Sequence, residues 1–376
     1  MVSAREQQRQ RWLQATIGNS GWRLEQASSD AGYRSYWRLH QADGDSVIVM
    51  DSPPELEDVR PWLAMHTVLA AAGVRVPGLL AADADADAGF LLLEDLGRHT
   101  YLHLLDADNA DALFGRAVEQ LLRLQAITPP PTLPRYDAAL LKRELDLFGD
   151  WFLGRHLGLA LSANERAMLA ATGDRLIESA LAQAQVLVHR DFMPRNLMPT
   201  AGCLAAAGRP ATETTPTDTS DGPAVIDFQD AVLGPVAYDP ICLFRDAFIS
   251  WPAQRVDGWL RDYHARASRA GIPVPADADD FLRAADWIGI QRHLKVLGIF
   301  ARLHHRDHKP RYLADAGRFI VYLEQALAPY PELAALAAFL QQRVKPALAP
   351  ATQTETGTEP GSTNASAAAT VMGATR

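Results

Sequence analysis

Residues 186–198, VLVHRDFMPRNLM, and residues 224–240, AVIDFQDAVLGPVAYDP, decide how the rest of the chain is read. Each opens on a short apolar run rich in β-branched residues (186–188 and 224–226), and each run ends on charged side chains. That pattern marks a buried strand delivering polar groups at its end. Between the two, residues 199–223 are rich in Ala, Thr, Pro, Gly and Ser and have too few large apolar side chains to offset the entropy of ordering. Strands flanking such a segment predict a hairpin with an overgrown, flexible tip, which places the 199–223 insert inside a domain.

The strand ends carry a specific set of groups: His189-Arg190-Asp191, Asn196 five residues beyond the Asp, and Asp227 within Ile226-Asp227-Phe228. Phosphoryl transfer to a hydroxyl needs a carboxylate to orient the acceptor and take its proton, and oxygen ligands to hold Mg²⁺ on the phosphates. The spacing is that of a kinase catalytic loop followed by a metal-binding Asp at a strand end. Asp191 is then the base, and Asn196 and Asp227 are the metal ligands. An Arg-Asp pair at a turn, taken alone, is more often a surface ion pair. The Asn at the fixed offset, the flanking strands and the following Ile-Asp-Phe argue for the chemistry. Zinc is disfavoured, because His189 has no partner at ligand spacing and His304, His305 and His308 lack the Glu of a His-Glu-x-x-His arrangement.

Working outward, segments 22–24, 35–39, 46–50 and 89–93 read as strands, and 55–72 as a helix closed by Gly73. Beyond Gly97 the spacing turns helical, over 113–127, 138–154, 163–184, 256–271, 280–305 and 313–328. The expected fold is α+β and bilobal: a small β-rich N-terminal nucleotide-binding lobe over 1–96, a large helical catalytic and substrate lobe over 97–345, and a disordered tail over 346–376. The 376 residues are 48% hydrophobic and 22% charged, as in ordinary globular proteins, and the net charge of −9 argues against nucleic acid or an acidic membrane as partner. Two cysteines, Cys203 and Cys242, cannot build a disulfide framework. With no long apolar run and no apolar signal core in residues 1–12, a cytoplasmic location is expected. Nothing in the sequence calls for an obligatory protein partner.

The stretch from His189 through Asn196, with Ile226–Asp230 and Gly234 through Asp239, resembles the aminoglycoside phosphotransferase and choline kinase superfamily, with its protein-kinase-like fold. Within it, HRDFMPRNLM, VIDFQDAVLGPVAYDP, LFRDAFISWP, VIVMDSPPE and QRHLKVLGIFARLHHRDHKPRYL together resemble the bacterial anomeric kinases of N-acetylmuramate and N-acetylglucosamine, over about residues 21–340. The resemblance implies ATP- and Mg²⁺-dependent phosphorylation of a C1 hydroxyl to an α-1-phosphate, in peptidoglycan recycling. It also implies structural roles for His189 and for Asp239, the latter bracing the catalytic loop through backbone hydrogen bonds. Taken by itself, Asp239 reads equally as a helix N-cap beside Pro240.

Two departures from a protein kinase stand out. The nucleotide cover, residues 27–36, has a single glycine, so Ser28, Ser29, Gly32 and Arg34 are the candidate phosphate contacts. Met50 occupies the third-strand position where a kinase has its phosphate-pairing Lys. Either another cation, Arg34 or Arg38, replaces it, or the protein binds nucleotide without transferring phosphate; retention of Asp191, Asn196 and Asp227 favours the former. Glu57, without its usual Lys, receives no role. Leu93-Glu94-Asp95-Leu96-Gly97 has the position of an interlobe hinge, whose backbone around Glu94 to Leu96 would meet adenine.

The acceptor is expected against the helical lobe. Gln291, Lys295 and Arg302 share one helix face, in a stretch where basic residues and histidines far outnumber acids. That stretch is a solvated surface on the plain reading, and on the functional one a wall for an anionic acceptor such as the lactyl carboxylate of N-acetylmuramate. Aminoglycosides and choline are cations and call for an acidic or aromatic pocket, so the basic run counts against them. Asp230 and Asp246 are candidate partners for sugar hydroxyls, and Arg195 for an anion. A kinase of another small alcohol, an aminoglycoside or amino alcohol, stays open, as does a nucleotide-binding pseudokinase.

Overall fold

The computed structural model describes residues 3–18, 21–29, 33–41, 44–83, 88–209 and 222–348. In chain order come α1 (Ala4–Ile17), β1 (Arg23–Ser29), β2 (Ser35–His40), β3 (Ser46–Asp51), α2 (Arg60–Ala71), β4 (Leu79–Ala82), β5 (Phe90–Glu94), α3 (Tyr101–Leu104), α4 (Ala110–Gln125), α5 (Ala138–Leu147) and α6 (Ala163–Ala182). There follow β6 (Gln185–Val188), β7 (Leu197–Met198), α7 (Ala201–Ala206), β8 (Ala224–Val225), β9 (Val232–Pro235), α8 (Tyr238–Phe244), α9 (Ala253–Arg269), α10 (Ala278–Asp307), α11 (Ala316–Leu327) and α12 (Ala334–Phe339). The fold is α+β, a sheet-rich beginning followed by a mostly helical remainder. Among the described residues no helix is long and apolar enough to cross a membrane.

Cα packing divides the described chain into two units, one made of residues up to Leu124 with Pro194–Asp230, the other of Gln125–Met193 with the residues from Ala231 on. The first unit holds an antiparallel sheet in the order β1-β2-β3-β5-β4. Its register sets Trp37 opposite Val49 and Val49 opposite Leu92, so these side chains share one face, which packs with Leu39 against Trp12, Leu13 and Ile17 of α1. Tyr36 lies opposite Met50 and belongs to the other face.

Sequence periodicity did not reveal α1. Its apolar side is confined to its C-terminal half, and Arg9 is buried in place of an apolar residue, over the Trp37 ring at 4.0 Å with Nη1 3.0 Å from Asp51 Oδ2. A capping box between Ser3 and Glu6 starts the helix. The helix expected over 55–72 begins instead at Arg60. Pro53 O accepts from the N–H groups of Leu56 and Glu57, closing a separate turn that leaves Glu57 outside the helix. Between the β3 and β5 ends the backbones nearly touch: Gly89 has φ 70°, and a Cβ there would lie 2.0 Å from Ser52 O.

The expected hairpin exists with different strands. Residues 186–188 pair with β9, while β8 pairs with β7, Leu197 opposite Val225. The reason is that the loop 189–196 intervenes before the excursion begins, so the strand entering it is β7. Part of the segment expected to be flexible is folded: Thr200 caps α7, and Cys203 and Leu204 are buried. Residues 210–221 lie outside the described residues, as does the expected tail from 349 onward, whereas 346–348 continue a helix.

In the second unit the helices gather around α10, whose central turns are buried on every side. Gly298 permits the closest approach; a Cβ there would lie 2.4 Å from the carbonyl carbon of Leu147, where α5 passes into a π-helical coil over Phe148–His156.

Candidate active site

In the second unit, β6 runs directly into His189-Arg190-Asp191, and all three residues are buried. The loop is held from both backbone and side chain. Asp239, in the first turn of α8, accepts from the N–H of His189 at 2.8 Å and that of Arg190 at 3.0 Å. Asp191 N–H donates to His189 Nδ1 at 3.2 Å, and Met193 N–H to Asp191 O at 2.9 Å. Cys242 Sγ donates to Arg190 O at 3.1 Å. Arg190 takes φ 74°, a left-handed conformation that costs a non-glycine residue about 1–2 kcal/mol. Its surroundings over-determine it.

The principal restraint is a side chain that the motif reading overlooked. Glu144 on α5, with no exposed surface, receives Arg190 Nη2 at 2.8 Å, Lys295 Nζ at 2.9 Å, Gln291 Nε2 at 3.2 Å and the Tyr136 hydroxyl. Lys295 Nζ also donates to Tyr238 OH at 3.1 Å. Burial by itself would raise the Glu144 pKa, but Lys295, Arg190 and Tyr136 bring it down to about 2. Asp239 goes the other way: burial pushes its carboxyl up to about 7 against the pull of the two backbone N–H groups. Gln291 and Lys295, expected at the acceptor, are therefore committed to a buried charge network beneath the loop. A signal for Glu144 was available in sequence, since it falls between Leu141 and Phe148 at helical spacing, on the face that is buried.

The first unit supplies the expected metal ligands. A 3-10 turn over Pro194–Asn196 ends on Asn196, whose carbonyl accepts from Ile226 N–H at 3.0 Å. This cross-link sets the two ligand side chains beside each other, Asn196 Nδ2 and Asp227 Oδ2 being 3.4 Å apart. Asp227 has φ 67°, and Gln229 Nε2 donates to its Oδ1 at 2.7 Å. Phe228, fully buried, anchors the turn against Trp62 with ring centroids 5.1 Å apart. An amide oxygen and a carboxylate, adjacent and both hard donors, suit Mg²⁺. Among the described residues no group of three or more His, Cys, Asp or Glu side chains is placed to hold a metal.

Of the two arginines considered for the missing Lys, the structure separates the roles. Arg38 is tied to Asp95 at 2.5 and 2.9 Å and to Gly97 O at 2.8 Å. Arg34, buried, pairs instead with Glu57 at 2.6 Å. Ser28 and Ser29 end β1, with side chains outside the described residues, and Gly32 is outside them altogether. Glu94 is occupied by Arg75 at 2.5 Å, and its N–H donates to Gly78 O. Of the hinge residues expected to meet adenine, Asp95 and Leu96 take no backbone partner among the described residues.

The remaining acceptor candidates belong to both units. Asp246 is buried and accepts from the N–H groups of Phe248 at 2.7 Å and Ile249 at 3.0 Å, shaping a turn. Arg302 is seven residues beyond Lys295, roughly 10 Å farther along α10. Burial and the neighbouring Arg306 lower its pKa. Arg195, buried, and Asp230, half-buried, lie in the other unit.

A sheet-rich start and a mostly helical remainder, with a strand-borne Asp, an Asn at the fixed offset and a second Asp behind a short strand, define a kinase-type phosphotransferase. The chain belongs to the phosphotransferase enzyme family, whose profile matches residues 23–206 and 217–281. It is 50% identical over 313 residues to an N-acetylmuramate/N-acetylglucosamine kinase of Pseudomonas putida, covering 83% of this chain and 86% of that one. To a protein of the same description from Pseudomonas aeruginosa it is 48% identical over 347 residues, covering 90% and 96%. Among solved structures it shares its fold with an ADP-bound aminoglycoside phosphotransferase, with TM-score 0.52, 14% identity, and coverage of 82% of this chain and 95% of that one.

Proposed function

We propose that this chain is an ATP- and Mg²⁺-dependent kinase that phosphorylates the anomeric C1 hydroxyl of N-acetylmuramate and N-acetylglucosamine, in the cytoplasmic recycling of peptidoglycan sugars. The observation that carries the reading is the Asp191 loop, held by Asp239 at both preceding N–H groups and by the Glu144 network behind Arg190. The high identity to two kinases described as acting on these sugars supports the choice of acceptor. Residues 1–96 serve the nucleotide and residues 97–345 catalysis and substrate.

In the reaction, Asp191 orients the C1 hydroxyl and accepts its proton as the oxygen bonds to the γ-phosphorus; the bond from that phosphorus to the β–γ bridging oxygen breaks, releasing ADP. Asn196 and Asp227 would hold Mg²⁺, which when bound neutralises charge on the phosphate oxygens. The hydroxyls of the sugar ring and the lactyl carboxylate of N-acetylmuramate call for polar and cationic partners, and Asp230, Arg195 and Arg302 are candidates of those types.

Phosphorus NMR of the protein with Mg-ATP and each sugar, with the C1-methyl glycoside of N-acetylglucosamine as control, tests this reading. A sugar-1-phosphate signal from the free sugars alone is expected. Phosphorylation of the blocked glycoside would overturn the anomeric assignment, and no transfer to either free sugar would overturn the acceptor.

A further inference from the structure

Met50 is fully buried at the strand position where a kinase carries the lysine that pairs with nucleotide phosphates. The sheet register shows what can take its place. Tyr36 is directly opposite Met50 across the β2–β3 ladder, so the two side chains lie on one face. Arg34 immediately precedes β2, and carrying the strand's alternation one residue past its start puts Arg34 on that same face. The side chain of Arg34 is held there by Glu57, N to O 2.6 Å, from the turn that precedes α2.

We infer that Arg34, positioned by Glu57, is the cation that engages the nucleotide's phosphates in this protein, substituting from the residue just before β2 for the lysine absent from β3. This inference rests on the kinase reading and assigns the phosphate-binding residue within it. In kinases generally, the phosphate-pairing lysine is itself oriented by a glutamate. Here the acidic half of that pair is present in Glu57 and the basic half is supplied by the arginine that precedes β2. Arg38, on the same face, is already consumed by its two bonds to Asp95 and one to Gly97 O.

The electrostatics agree with this geometry. Burial lowers the pKa of Arg34, yet Tyr36, Glu57, Asp227 and Asp230 outweigh it, and the net shift is upward. The Arg34 guanidinium is thus near enough to the expected metal ligand Asp227 for their charges to interact. Its planar fork also favours two-point contact with a phosphate over the single-point contact of an ammonium.

The test uses the full chain, ADP and adenosine, with calorimetry and no acceptor sugar, so that it is independent of which sugar is phosphorylated. Arg34→Met is expected to weaken ADP binding about 10- to 100-fold while leaving adenosine affinity unchanged, the loss typical of one charge-assisted contact. Arg34→Lys should recover most of the ADP affinity, a rescue that a purely structural role would not give. Glu57→Gln, on a half-buried side chain, should weaken ADP severalfold and adenosine not at all, and it carries the test if Arg34→Met does not fold. ADP affinity unchanged in these variants, or ADP and adenosine weakened in parallel, would overturn the inference. A protein that binds ADP through Arg34 yet phosphorylates no amino sugar would instead overturn the proposed function alone.

Discussion

Replacing Glu144 by Leu puts the buried network to a quantitative test. Glu144 has no exposed surface, and the two cations bonded to it, Lys295 and Arg190, have side chains 1% and 7% exposed. Removing the carboxylate leaves both charges buried without their counter-ion. Breaking a buried pair in this way costs about 3–5 kcal/mol. With an unfolding entropy of about 2.1 cal/mol/K per residue over a chain of 376 residues, that corresponds to a fall in melting temperature of about 4–6 °C, read by differential scanning calorimetry. Glu144→Gln keeps the hydrogen-bonding shape, loses the charge, and should fall between wild type and Glu144→Leu. Adding Lys295→Met to Glu144→Leu removes one of the stranded charges and should regain part of the loss. A fall of under about 2 °C in both single variants would refute the argument, because it would mean that Arg190 and Lys295 find other partners at no cost.

Three further outcomes follow from the same geometry. Asp191→Asn should abolish sugar phosphorylation in a coupled assay while calorimetry shows ADP binding retained, since the loop is held by Asp239 and His189 through backbone N–H groups. Asp239 carries a folded-state pKa of about 7 against an ordinary value of 3.8. Its protonated form is thus favoured by folding, and that contribution to stability is fully present below pH 3.8 and lost as the pH rises through 7. Glu144 acts oppositely: its contribution is full above the ordinary value of 4.5 and lost as the pH falls through about 2. Melting temperatures of Asp239→Asn between pH 4 and 7 should therefore decline less with pH than those of wild type. Gly298→Ala forces a methyl group to within 2.4 Å of the Leu147 carbonyl carbon and should destabilise by about 1–3 kcal/mol in chemical denaturation.

Segments with strong local periodicity were legible from sequence. The strands around 35–39, 46–50 and 89–93 and the helices α6, α9 and α10 announce themselves by the spacing of their apolar residues. The N-terminal helix did not, since an arginine paired with Asp51 occupies its buried side and carries no hydrophobic signal. Pairing partners were harder still: 186–188 and 224–226 were both strands, but nothing local says that each pairs with a different segment. The candidate loop could be singled out because His189, Asp191 and Asn196 lie within eight consecutive residues. Its supports were not, because Glu144 and Lys295 are brought to Arg190 from α5 and α10 by helix packing alone. The contact of Asp239 with the loop backbone spans 50 residues and was legible only through family resemblance. Gln291 and Lys295 illustrate the converse error, in which a shared helix face was read as a pocket wall when it is buried against Glu144.

The β7–β8 ladder closes a ring of chain between the two expected metal ligands, and it does so at the base of the ring, where Ile226 N–H also meets Asn196 O. Closure entropy grows only logarithmically, so doubling the length of such a ring costs about 0.6 kcal/mol. One residue inserted between Asn196 and Leu197, by contrast, shifts the side chains of that strand to its opposite face. The spacing of Asn196 and Asp227 is thus set by the two-residue ladder at the base of the ring and not by the length of chain that the ring contains.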